Sequence, residues 1–140
     1  MIILDTNIIS ELMKQAPSHA VIQWIDKENT TQLFITTMTI AEMTYGIEAL
    51  PSGKRKHSLE TAFDNVINEA FKHRVLFFDQ LAANYYGKIM GASKISGKPL
   101  GILDGQIAAI ARANDATVAT RNIADFAHCG LSLINPFTLL

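Results

Sequence analysis

The stretch MIILDTNIIS, residues 1–10, sets three apolar residues, Ile2, Ile3 and Leu4, directly against Asp5, Thr6 and Asn7. A buried strand that stops on a carboxylate is either entering a turn or delivering a side chain to a site. Short apolar runs of the same kind recur at 33–35, 75–78, 117–120 and 131–134. Helical patterns lie between them, one starting at 10–14 and others at 20–28, 39–50, 55–72, 80–95 and 102–115. Strands alternating with helices predict an α/β fold with three layers, a central parallel sheet of four to five short strands and helices on both faces. The crossovers should be right-handed. Ligands of such sheets bind beyond the C-terminal ends of the strands, so Asp5 is expected at the functional edge.

The 140 residues suit a single domain, 1–140, with a core that needs no staples. Apolar residues make up 49% and charged residues 18%, a globular composition. No apolar run approaches the roughly 20 residues of a membrane span. The chain opens without a basic segment followed by an apolar one and a small-residue cleavage site, so a cytoplasmic protein is expected. Cys129 is the lone cysteine, which excludes an internal disulfide and a cysteine-cluster metal site; it is expected as a small buried apolar residue. A net charge of -1 gives no overall attraction to nucleic acid. Local basic clusters exist, however, at 53–57 and 72–74. They read equally as solvated helix ends and as phosphate contacts.

Four acids stand at strand ends or helix starts. Asp5 follows the first strand. Glu42 follows the second, in the first turn of the third helix, where Thr39 three residues earlier also fits a capping box. Asp104 opens the almost wholly apolar or small segment ILDGQIAAIARA, where it would also complement the helix dipole. Gly105, Ala108 and Ala111 should let that helix approach the sheet closely. Asp125 lies in ATRNIADF, a turn after the fourth strand, flanked by Thr120 and Asn122. A parallel sheet could gather all four at one edge. Packed carboxylates repel and hold protons unless a cation joins them. Oxygen ligands suit magnesium or manganese, and the scattered His19, His57, His73 and His128 do not compete for zinc. A hard ion of that kind, one or two per site, lowers the pKa of a water and offsets charge on a phosphate during phosphodiester hydrolysis.

Two other enzyme or switch classes also place an aspartate after a first strand. A dehalogenase-like phosphatase wants a second aspartate two residues later, where this chain has Asn7. A receiver domain wants a lysine after a later strand, and none is found there. The non-enzyme alternative is a catalytically silent protein-interaction or RNA-binding domain.

Together LDTNIISEL, TIAEMTYGI, LDGQIAAIARAND, ATRNIADF and the final LINPF resemble PIN-domain ribonucleases, in particular VapC-type toxins of the FitB-like branch. The likeness runs from residue 1 to nearly residue 138. It implies that Asp5, Glu42 and Asp104 hold Mg2+ or Mn2+, that Asp125 completes the site directly or through water, and that Thr6 or Asn7 supports the first aspartate. Thr120 supports the same turn. Many PIN domains carry an aspartate where this chain has Asn122; members of this branch often have asparagine, which would orient Asp125 or a water. The resemblance further implies cleavage of single-stranded or loop RNA to a 5′-phosphate and a 3′-hydroxyl, and arrest of translation. It implies a homodimer, and a cognate antitoxin that fills the site and binds operator DNA through its own domain. Lys54, Arg55, Lys56, Lys72, Arg74 and Arg121 are then candidate RNA contacts, Arg121 first among them. Tyr45, Ile47, Leu50, Tyr85, Tyr86, Ile89 and Met90 are either a partner surface or ordinary core.

Overall fold

The computed structural model describes residues 1–139. Five strands, β1 (Ile2–Leu4), β2 (Leu33–Thr36), β3 (Val75–Leu76), β4 (Thr117–Ala119) and β5 (Leu133–Ile134), make one parallel sheet in the order β3-β2-β1-β4-β5. The helices among the described residues are α1 (Thr6–Leu12), α2 (His19–Lys27), α3 (Thr37–Glu48), α4 (Lys54–Asn65), α5 (Gln80–Ser96), α6 (Ile102–Ala113) and α7 (Ile123–Phe126).

Alternation along each strand splits the core in two. Ile3 and Val118 face one layer, built from Ala82 and Ile89 of α5, Ile107, Ala108 and Ile110 of α6, and Phe126 of α7. Leu4, Leu33, Ile35 and Ala119 face the other, built from Ile8 and Ile9 of α1, Val21 and Trp24 of α2, Ile47 of α3 and Phe63 of α4. The expected helix–sheet–helix layering is therefore present. Cys129 is buried in the first layer, as its lone occurrence suggested. Ile47 and Ile89, either partner-facing or core on sequence grounds, are both core residues, whereas Tyr45 is 77% exposed.

Several boundaries differ from expectation. The first helix begins at Thr6, not near residue 10, because the Asp5 carboxylate caps it by accepting the Thr6 N–H. The expected strand at 75–78 keeps two residues, since it is an edge strand and the chain turns away to let Asp79 cap α5. The helix expected over 55–72 stops at Asn65 and runs on as a π-helical turn, Val66–Ala70. A turn was expected around Asp125, and the one-turn helix α7 stands there. Gly105 serves a different approach from the one expected. A Cβ at that position would meet Met90 Sδ at 2.6 Å and a Tyr86 ring carbon at 3.5 Å, so the close packing is of α6 on α5 and not on the sheet.

Because Ile47 and Ile89 belong to opposite layers, their truncations should be independent. Ile47→Val and Ile89→Val are each expected to cost about 0.5–1.5 kcal/mol in urea unfolding. The double variant should equal the sum within about 0.5 kcal/mol.

Candidate active site at the β1–β4 switch point

The chain builds β1, β2 and β3 outward in one direction, then returns to the other side of β1 for β4 and β5. The crevice at such a reversal, beyond the strands' C-terminal ends, is where open α/β sheets bind ligands. Pairing of Leu4 with Ala119 brings the next residue of each strand, Asp5 and Thr120, side by side. The Asp5 N–H donates to the Ala119 carbonyl at 2.9 Å. Asp5 Oδ2 then accepts the Thr120 hydroxyl at 2.8 Å and the Asn7 amide at 3.3 Å, while Oδ1 accepts the Thr6 N–H at 2.8 Å. Thr120 is itself held by the Asn7 amide (3.3 Å) and the Asn122 N–H (2.9 Å). Asp5 is only 4% exposed, so these donors fix its carboxylate rigidly.

Glu42 is positioned from the same end. Helix α3 starts at Thr37 and is capped by Thr36, whose hydroxyl accepts the Thr39 N–H at 3.2 Å. Glu42 is therefore in the second turn, and the capping-box reading is displaced. Its Oε1 accepts the Thr6 hydroxyl at 2.8 Å. That proton is committed to the carboxylate, so the Thr39 hydroxyl, 3.1 Å away, donates to Thr6. A chain of three polar groups thus runs from buried Thr39 through Thr6 to Glu42. Thr36 was not singled out from the sequence, because its role depends on where α3 begins, and Thr39, expected as the cap, is instead a buried partner of Thr6.

Asp104 stands in the first turn of α6 and Asp125 in α7. Burial first, then the charges of Asp5, Asp125 and Glu42, push Asp104 from the ordinary 3.8 up to about 6. Asp5 is also raised, by burial above all and by Glu42 and Asp125, against the lowering effect of its Thr120 and Thr6 hydrogen bonds. The four acids proposed from sequence therefore share one field. Among the described residues, neither Asp5 nor Asp104 makes a salt bridge. Among the described residues, no three His, Cys, Asp or Glu side chains stand ready-made as an ion site. The four acids offer only oxygen donors, the kind that suits a hard divalent cation. In that sense the residues fit Mg2+ or Mn2+.

Two clefts flank the acids. The larger, about 1150 Å3, is bordered by Thr6, Lys14, Glu42, Lys54, Arg55 and Leu59. The smaller, about 480 Å3, is bordered by Ile89, Ser96, Lys98, Leu100, Asp125 and His128. Lys54 and Arg55 thus line the approach, but the other members of the basic clusters do not. Lys56 donates to the Glu48 carbonyl at 3.0 Å and lies 3.6 Å from the Glu48 carboxylate, which spends it on the end of α3. Lys72 and Arg74 precede β3 and so lie at the N-terminal edge of the sheet, opposite the carboxylates. Arg74 Nε donates to the Leu33 carbonyl at 2.9 Å there. Arg121 follows Thr120 directly and remains at the functional edge.

A family model described as PIN domain matches residues 2–129. The chain belongs to the PIN domain family. Within it, the chain is 42% identical over 137 residues to the VapC ribonuclease Y4jK of Sinorhizobium fredii, covering 98% of each. It is 35% identical to Toxin FitB of Neisseria gonorrhoeae, covering 98% of this chain and 99% of that one. The solved structure of FitAB bound to the IR36 DNA fragment superimposes with a TM-score of 0.93 at 36% identity, covering 100% of this chain and 98% of that one. The resemblance expected from the five motifs is therefore shown, at the level of the family and of its toxin-type members.

One buried carboxylate of this PIN fold escaped the sequence reading. Glu11 is 5% exposed and lies on α1, four residues past Asn7 and so on the same helix face. The signal was present but needed the helix to start at Thr6.

Asp104 binds a proton more readily folded than unfolded, so its contribution to stability falls as pH rises from about 4 through about 6. Asparagine keeps the shape and removes the titration. Without divalent ions, Asp104→Asn should melt a few degrees above the natural chain at pH 7.5, where about 1 kcal/mol is worth about 2–4 °C. The gap should narrow below pH 6 and close only towards pH 4, as read by calorimetry.

Proposed function

We propose that this PIN-domain chain is a metal-dependent endoribonuclease, the toxin of a toxin–antitoxin pair. The observation that carries the reading is the gathering of Asp5, Glu42, Asp104 and Asp125 about the switch point, where their charges act on one another and neither Asp5 nor Asp104 makes a salt bridge among the described residues. Asp5, Glu42 and Asp104 would hold Mg2+ or Mn2+, with Asp125 joining directly or through water and Asn122 orienting it. Such an ion, when bound, makes a nearby water more acidic and offsets negative charge on the scissile phosphate.

The chain's own side chains do the positioning. Thr120 and Asn7 keep Asp5 from turning, and Thr6 does the same for Glu42. Lys54 and Arg55 line the larger cleft and meet the phosphates of an RNA strand leading to the acids. Arg121 does so at the mouth. The cognate antitoxin occupies that same approach and carries the contact with operator DNA. RNA cleavage then inhibits translation in the cytoplasm. The exposed apolar side chains of Phe77, Leu81, Ile95 and Ile102 supply material for a homodimer surface.

The test is RNA cleavage by the chain freed of any antitoxin, with Mg2+ or Mn2+ added. Asp5→Asn and Asp104→Asn should each lower the rate at least about 100-fold, the scale of removing a main electrostatic contributor. Chelation should abolish cleavage, and product ends should carry a 5′-phosphate. Cleavage that survives chelation or either substitution overturns the metal-dependent mechanism. Metal-independent RNA binding without cleavage would favour the silent-domain alternative.

A further inference from the structure

Glu11 has no part in the chemistry above, yet it is nearly as hidden as Asp5. Its Oε1 accepts Lys14 Nζ at 2.9 Å and lies 3.5 Å from Arg121 Nη2. Its Oε2 accepts the Ser18 N–H at 3.0 Å, at the start of α2. One oxygen therefore draws together two cations from distant parts of the chain.

Both cations stand beside the acids. Lys14 borders the larger cleft together with Thr6 and Glu42. Arg121 follows the threonine that holds Asp5, and its N–H donates to Asn7 Oδ1 at 3.2 Å. The guanidinium lies 3.7 Å from the centre of the Phe137 ring, in the C-terminal turn Pro136–Thr138. Asn135 caps that turn, and its amide reaches the Arg121 carbonyl at 3.5 Å. The closing LINPF motif is thereby explained as the bed on which Arg121 rests. The Lys14 and Arg121 side chains remain 58% and 53% exposed. A lysine has three donors and an arginine five, so most remain free to face outward.

An RNA phosphate nearing four carboxylates is repelled. Two cations and one carboxylate leave a net positive charge beside that repulsion. Without Glu11 the two cations would repel each other and swing apart.

We infer that Glu11 is a positioning residue, gathering Lys14 and Arg121 into a two-cation clamp that grips a phosphate of single-stranded RNA beside the scissile one. The inference rests on the ribonuclease reading. A mere staple between α1 and α2 would use Lys14 and Ser18 and would have no need of Arg121.

The experiment measures binding of a fluorescent single-stranded RNA to the full chain carrying Asp104→Asn, in Mg2+, across a range of salt, alongside turnover in the Asp104 chain. Glu11→Gln should weaken binding about tenfold. It should flatten the slope of log K against log salt by about 0.7 for each phosphate no longer neutralised. KM should rise while kcat changes less than about twofold. Lys14→Ala and Arg121→Ala, on exposed side chains, should each flatten the slope by about 0.7, which keeps the test open if Glu11→Gln fails to fold. Added to the Lys14→Ala/Arg121→Ala pair, Glu11→Gln should have less than a twofold further effect. A Glu11→Gln protein that melts lower but keeps its salt slope and KM overturns the clamp and leaves the ribonuclease reading standing. So do Lys14→Ala and Arg121→Ala variants with unchanged slopes. Absence of both binding and cleavage in the parent chains overturns the ribonuclease reading and the clamp with it.

Discussion

The hydrogen bond from the Thr120 hydroxyl to the Asp5 carboxylate, 2.8 Å long and wholly buried, is the constraint on which the site depends. It exists because β4 returns to pair with β1 in a register that makes those two residues neighbours. Asp5 also caps α1, so one carboxylate sets the start of a helix, the end of a strand and the floor of a crevice. Few side chains could do all three. A slipped register would take Thr120 away from Asp5 and undo the floor of the crevice.

Around that point, neutral donors fix the acids, and among the described residues no salt bridge neutralises Asp5 or Asp104. Hydroxyls and amides from Thr6, Asn7 and Thr120 orient the carboxylates without cancelling their charge. Burial first, and then the uncancelled charges of Asp5, Asp125 and Glu42, raise Asp104 to about 6. The stability lost by crowding acids is of the kind that functional sites commonly carry. Cations are kept one step away. Lys56 and Arg74 are tied to backbone carbonyls elsewhere, while Lys14 and Arg121 converge on Glu11. The field therefore changes sign over a short distance, from acids in the crevice to bases on the cleft. An RNA strand would need both.

Much of this was legible in the linear order of residues. Apolar runs alternating with helical patterns dictate a parallel sheet, because each crossover helix must cover one of its faces. Asp5, Glu42, Asp104 and Asp125 could be named because acids directly after short strands or at helix starts have one edge to occupy. The PIN family could be named from motifs in order. Local chemistry also placed the ends of α5, where Asp79 accepts the Ala82 N–H and Gly97 takes a left-handed φ of 69°.

What the sequence could not settle were matters of which atom meets which. Whether Glu42 capped a helix or faced Asp5 turned on one cap, Thr36, which moved α3 back by a turn. Whether Ile47 and Ile89 were core or surface turned on the sheet having two covered faces. The basic clusters looked alike along the chain, yet Lys54 and Arg55 line the cleft while Lys72 and Arg74 lie at the far edge, because β3 runs parallel to β1. Glu11 gained its meaning from Arg121, 110 residues away in sequence, through a single shared oxygen. Local propensities act over a few residues and can be read in order. Contacts closed by strand register and helix packing exist only once the chain has folded, and they decided which charges meet.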